Sequence, residues 1–181
     1  MPVVDDIYLG NPNLKKANVV QDFTQEQILE FMRCKANPVY FAKKHVKIVT
    51  LDHGLMPFEP YDFQEGLINN FHRERFNICK MPRQTGKSTT SVSYLLHYAV
   101  FNDNVNIGIL ANKAATARDL LGRLQTAYEN LPKWMQQGIV SWNKGSLELE
   151  NGSKILAAST SASAVRGISF NILFLDTTAV F

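Results

Sequence analysis

The stretch Cys79-Lys80-Met81-Pro82-Arg83-Gln84-Thr85-Gly86-Lys87-Ser88-Thr89 constrains the fold more than any other part of the chain. An apolar run, Phe76 to Cys79, leads into it, and a helical pattern, Ser88 to Phe101, leads out. Strand, glycine-bearing loop and helix in that order form the layout of a phosphate-binding P-loop. In such a loop, backbone N–H groups and the following helix N-terminus face a polyphosphate. Lys87 then pairs with the β- and γ-phosphates, and the Ser88 hydroxyl is a Mg²⁺ ligand. Met81 stands where the full pattern has its first glycine. The reading therefore rests on the strand–loop–helix context more than on Gly86-Lys87-Ser88 alone.

A second element strengthens it. Asn171-Ile172-Leu173-Phe174-Leu175-Asp176 reads as a buried strand that delivers a carboxylate to the C-terminal edge of a sheet. That is the form of a Walker B strand, whose Asp holds the Mg²⁺ shell beside the P-loop. Arg83 lies inside the loop, where a guanidinium can stabilise charge on a γ-phosphate or simply face solvent. Gln64 sits on a predicted helix ahead of the first strand, with an amide able to meet both the donor and the acceptor edge of adenine, or simply to face solvent as a lone helical glutamine does. Gly167, after Ala164-Val165-Arg166, suits a turn of positive φ, and Arg166 beside it has the reach to contact phosphate, although a plain surface turn is the simpler reading of these residues alone.

Around these motifs the pattern is one of alternating helices and strands. Thr24 and Gln27 form a capping-box pattern, so residues 25–35 read as a helix. Pro38 opens a second short helix to about His45. Residues 46–50 read as a short strand, the segment around Asp52-His53-Gly54 and Pro57 as a loop, and 61–75 as a helix. Helices are expected over 87–101 and 113–130, and buried strands over 76–79, 105–111 and 171–176. Ser146–Leu149 and Lys154–Ala158 flank Asn151-Gly152, a hairpin signal. The first twenty residues, with Pro2, Gly10, Asn11, Pro12 and Asn13, read as an irregular arm. Trp134 and Trp142 bracket a connection and read as satellite-core residues. Buried strands alternating with helices imply a parallel sheet covered on both faces.

Composition adds limits. With 45% hydrophobic and 19% charged residues, the 181-residue chain is an ordinary globular composition with enough length for a core. A net charge of +3 permits nucleic-acid contact without arguing for it. The densest basic patches, Lys43-Lys44-His45 and His72-Arg73-Glu74-Arg75, read as solvated faces. Cys34 and Cys79 have no metal-ligand spacing and read as buried, reduced thiols. The acidic start carries no signal-peptide pattern, and no apolar run is long enough to span a bilayer.

Together these residues resemble the large terminase subunit of tailed phages, closest to its T-even type, from about Gly10 onward. The similar stretches include Asn11-Pro12-Asn13-Leu14-Lys15-Lys16-Ala17-Asn18, Tyr61-Asp62-Phe63-Gln64, Arg83-Gln84-Thr85-Gly86-Lys87-Ser88, Ile107-Gly108-Ile109-Leu110-Ala111-Asn112-Lys113, Gly138-Ile139-Val140-Ser141-Trp142-Asn143-Lys144-Gly145-Ser146 and Ala164-Val165-Arg166-Gly167. The resemblance implies an α/β P-loop NTPase of the additional-strand, RecA/helicase-like type. Its parallel sheet with flanking helices would be incomplete at the C-terminus. Residues 1–58 would be an arm and helical subdomain, and 59–181 a partial ATPase core. It further implies that Gln64 recognises adenine, that Arg83 to Thr89 form a deviant Walker A loop, and that Asp176 is the Walker B aspartate. Arg166 matches a candidate trans-acting arginine. The implied cofactors are ATP and Mg²⁺. The implied partners are double-stranded viral DNA, a portal protein, a small terminase subunit and further copies in a ring, in the host cytoplasm and with no membrane.

One departure matters. The family's Walker B Asp is followed by a Glu that activates water, whereas here Thr177-Thr178 follow Asp176. A hydroxyl is a very weak base near neutral pH, so the chain is expected to bind ATP better than it hydrolyses it. The resemblance also leads us to expect the N-terminal part of a split or truncated packaging ATPase. The competing readings are an assembly module that binds nucleotide without turnover, and a helicase-like ATPase of another family.

Overall fold

The computed structural model describes residues 6–50, 52–161 and 167–176. Thr24 starts the first helix, α1 (Gln25–Ala36), with the expected reciprocal cap: its hydroxyl accepts from Gln27 N at 3.2 Å, and Gln27 Oε1 accepts from Thr24 N at 3.0 Å. Asn37 then ends α1 and caps α2 (Pro38–His45), with Pro38 in the first turn. The two helices are clamped by Glu30. Its carboxylate meets His45 Nε2 at 2.7 Å and accepts from the Tyr40 hydroxyl at 3.0 Å. Burial pushes the Glu30 carboxyl up, but the hydrogen bonds from His45 and Tyr40 outweigh it and hold it below its usual value. Burial, with Glu30 beside it, pushes the Cys34 thiol up to about 12, so that thiol is inert.

Helix α3 (Asp62–Arg73) packs on α4 (Lys87–Phe101), and α4 packs on α5 (Ala114–Glu129). Most of α4 is buried, and its Leu96 and Ala99 are fully so. These helices share one apolar cluster with Ile107 and Ile109 of strand β5 (Asn106–Ala111), and with Leu14, Cys34 and Phe41 from the first part of the chain. Trp134 and Trp142 pack against that cluster half-buried, as satellites.

The main sheet has five strands in the order β6 (Ile139–Trp142), β7 (Ser146–Leu149), β8 (Lys154–Ser159), β5 and β9 (Ile172–Asp176). β5 runs parallel to β8 and β9, whereas β6, β7 and β8 pair antiparallel. The sheet is therefore mixed, not parallel throughout. The reason is the Asn151-Gly152 turn. Gly152 takes φ +80°, which folds β7 back along β8 as a hairpin. Coverage of both faces is also incomplete. Ile172 and Phe174 turn toward the core, while Leu173 and Leu175 on the opposite face are about half exposed.

Three further strand regions differ from the sequence expectation. β1 (Ile7–Tyr8) and β2 (Asn11–Lys15) form a short hairpin where an irregular arm was expected. β4 (Gly54–Pro57) pairs with β3 (Lys47–Thr50) across the expected loop, around Gly54 at φ +67°. β6 occupies the connection after Trp134. The largest correction concerns Phe76–Cys79. It is not a strand, and Phe76 and Ile78 are 83% and 99% exposed. The physical reason is that, among the described residues, no strand lies next to it: β9 is the end strand of the described sheet on that side. Cys79 is accordingly exposed, not buried.

Candidate functional site

The segment 82–86 closes into a compact turn before α4. Gln84 and Gly86 both take positive φ, +62° and +75°, and Gly86 is the residue from which α4 starts. The Thr85 hydroxyl donates to Pro82 O at 3.0 Å, pinning the turn. The first turn of α4 contains no acid, and so presents orphan N–H groups and a positive dipole end with no carboxylate to quench them. Such an end favours negative charge near it.

Lys87, the first helical residue, folds back over the loop. Its Nζ donates to Met81 O at 3.0 Å and to Pro82 O at 2.5 Å. Ser88 and Thr89 follow it half-buried, and Arg83 and Gln84 are exposed on the outer turn. Gln64 reaches the loop from α3 and is buried. Its Nε2 donates to Thr85 O at 3.1 Å, and its Oε1 accepts from Tyr61 N at 2.9 Å. A side chain at Gly86 would push against Gln64 Nε2 and disturb its hydrogen bond, and the φ of +75° favours glycine there in any case.

Asp176 closes β9 at the C-terminal edge of the sheet and is half-buried. The strand register sets it beside Ala111, the last residue of β5. One groove of about 710 Å³ is lined at once by Lys87, Ser88 and Asp176. The structure therefore brings together the three residues that sequence reasoning assigned to phosphate and metal. Arg83, Gln84, Thr85 and Gly86 in the loop, Thr89 after it and Gln64 against it do not line that groove. Arg166 and Thr177-Thr178 lie outside the described residues, whereas Gly167 takes the positive φ expected of it, +83°.

Sequence reasoning missed two parts of the site. Tyr61 is the anchor that fixes Gln64, and a glutamine three residues into a helix was the available signal. Tyr94 and Tyr98 line the groove from α4. Their spacing of four along a helix next to the loop was the signal for those.

A family profile described as "Terminase large subunit, T4likevirus-type, N-terminal" matches residues 78–181. The fold is similar to that in a crystal structure of the HK97 bacteriophage large terminase, with a TM-score of 0.62 and 18% sequence identity. The similarity covers 78% of this chain and 30% of that one. Among the described residues, no helix is long and apolar enough to cross a membrane.

Proposed function

We propose, because this chain belongs to the T4-like family of phage terminase large subunits, that it carries the ATP-binding part of a DNA-packaging ATPase. The observation that carries the reading is the convergence of Lys87, Ser88 and Asp176 on one groove, at the N-terminus of α4 and the C-terminal end of β9. The donor set fits a magnesium nucleotide. The loop offers backbone N–H groups and one ammonium to phosphate. Ser88 and Asp176 offer a hydroxyl and a carboxylate, hard oxygen ligands suited to Mg²⁺.

In this reading, phosphate competes with the Met81 and Pro82 carbonyls for the Lys87 ammonium. An ionised phosphate is the stronger acceptor, so Lys87 turns from its own loop to the ligand. Gln64 holds Thr85, and through it the loop. It meets adenine only by exchanging one of its present partners. Arg83 stands exposed on the loop, free to swing toward developing charge. Arg166 is kept as the candidate trans-acting arginine. Bound Mg²⁺ would neutralise phosphate charge in the groove. Residues 1–58 serve as an arm and helical subdomain, and 59–181 as the ATPase portion.

The wider setting belongs to the same proposal. A complete large terminase of this kind would use hydrolysis to drive double-stranded viral DNA through a portal, with a small subunit and further copies in a ring, in the host cytoplasm. In this chain Thr177 stands where a Glu would activate water, which favours binding without rapid turnover. Steady-state ATP hydrolysis by the chain and by Thr177→Glu tests this. Turnover should be near background in the first and rise in the second. Brisk hydrolysis by the unaltered chain, retained in Lys87→Ala, would sink the proposal.

A further inference from the structure

Glu30, Cys34 and His45 stand together where α1 meets α2. Glu30 and Cys34 lie four residues apart on one face of α1, and His45 is the last residue of α2. The two cysteines have no metal-ligand spacing between them, but here a cysteine joins other residue types. A carboxylate oxygen, the Cys34 Sγ and an imidazole nitrogen all lie within 4.8 Å of one another. Glu30 Oε1 is 2.7 Å from His45 Nε2 and 3.8 Å from Cys34 Sγ. In a tetrahedral zinc site, with Zn–N and Zn–O near 2.0 Å and Zn–S near 2.3 Å, such atoms sit about 3.3–3.5 Å apart. Glu30 and His45 thus need to part by about half an ångström, and Cys34 to close by less. Both movements are within the swing of a side chain.

A helix clamp does not require the thiol. His45 and the Tyr40 hydroxyl already engage the Glu30 carboxylate. A thiol is a weak donor, and at 3.8 Å it adds little to that clamp. As ligands the three groups do belong together. Thiolate and imidazole suit Zn²⁺, whereas Mg²⁺ and Ca²⁺ take oxygen ligands. Glu30 also lines a surface notch with Trp134 and with Glu26 and Arg33, which are of opposite charge. The notch gives a cation a way in and leaves room for water as a fourth ligand.

We propose that Glu30, Cys34 and His45 bind one Zn²⁺, with water from the notch completing the tetrahedron. Binding forms a Zn–S bond and releases the Cys34 thiol proton to solvent. The metal is structural in this role, turning a hydrogen-bonded clamp between α1 and α2 into a coordinated one. The Cys34 carbonyl accepts from His97 Nε2 at 2.8 Å, so the fixed corner is the one that docks on α4. The site shares no residue with the groove at Lys87, Ser88 and Asp176.

The test uses the full chain, freed of metal by chelation and titrated with Co²⁺ as a spectroscopic stand-in for Zn²⁺. One equivalent should produce a thiolate-to-cobalt charge-transfer band and the visible bands of a tetrahedral centre. Zn²⁺ should abolish both, and Mg²⁺ neither. Zn²⁺ should also raise the melting temperature by several degrees. Cys34→Ala should remove the charge-transfer band, and Cys79→Ser should leave it. His45→Gln keeps a donor for Glu30 and should fold as the unaltered chain does, but bind Co²⁺ at least about tenfold more weakly. No charge-transfer band in the unaltered chain would overturn the proposal. So would a band that survives Cys34→Ala or disappears in Cys79→Ser, undiminished affinity in His45→Gln, or a melting temperature indifferent to Zn²⁺.

Discussion

The Gln64 side chain holds the Thr85 carbonyl at 3.1 Å, tying α3 to the turn from which α4 starts. Its other end is fixed by the Tyr61 backbone N–H. A buried amide with both ends engaged sets the position of what it touches. Gln64→Glu keeps the acceptor for Tyr61 but sets an oxygen against the Thr85 carbonyl. Loss of about 1–3 kcal/mol is expected in urea unfolding. An unchanged midpoint would show that the tie does not hold the loop.

Gly86 faces that same amide. Gly86→Ala adds a Cβ at φ +75° and against Gln64 Nε2, so both backbone and packing oppose it. A loss of at least about 1 kcal/mol is expected, together with weaker nucleotide binding. Pairing it with Gln64→Ala removes the collision but not the φ strain. The double variant should lose less stability than the sum of the two single variants, and a strictly additive loss would place the whole cost of Gly86→Ala on the backbone.

Acid should destabilise the chain through His97. This ring is buried against Phe41 and Phe101, and its Nε2–H donates to the Cys34 carbonyl at 2.8 Å, while Nδ1 has no partner among the described residues. Burial pulls its pKa from 6.5 down to about 4. The unfolded chain therefore takes up the proton first as pH falls. Stability from this group is complete above about 6.5 and is lost toward 4, by about 3 kcal/mol in all. Melting temperatures over that window should fall steeply, and less so for His97→Gln. Parallel curves for the two proteins would rule out His97 as the cause.

The hairpin also caps a helix. Asn151 Nδ2 donates to the Ala99 and Asn102 carbonyls at 2.9 Å each, closing the end of α4, and Asn151 Oδ1 accepts from Ser153 N at 3.1 Å. Asn151→Ala leaves two carbonyls at that end without this partner. A destabilisation of about 1–3 kcal/mol is expected by thermal or urea denaturation. A loss below a few tenths would mean that water replaces the amide without cost.

Much of this architecture is legible in the chain because its signals are local. The Thr24 cap, Pro38, and the apolar spacing of α4 and α5 act within a turn or two of themselves, and the helices lie where those signals put them. Asn151-Gly152 likewise fixes its own hairpin. What failed was reasoning that assumed a distant partner. Phe76–Cys79 has the composition of a strand, but a strand needs a neighbour, and among the described residues none adjoins it. The mixed sheet followed from the same limit: the hairpin was recognised, but not that its second strand joins the main sheet beside β5. The meeting of Lys87, Ser88 and Asp176 at one groove was legible because each motif dictates where its own residue stands at the end of a strand or helix. Tyr61's hold on Gln64 is local too, since a glutamine three residues past a helix start can accept from the backbone N–H before it, but the residue type alone does not separate that role from contact with a ligand.

Calorimetric titration of the purified chain with Mg²⁺-ATP, beside Lys87→Ala and Asp176→Asn, is the most direct test of the central claim. The account predicts saturable binding by the unaltered chain. Lys87→Ala should bind far more weakly, and Asp176→Asn should lose the Mg²⁺ dependence while remaining folded. Equal binding by all three proteins, or binding that is indifferent to Mg²⁺ in the unaltered chain, would contradict it.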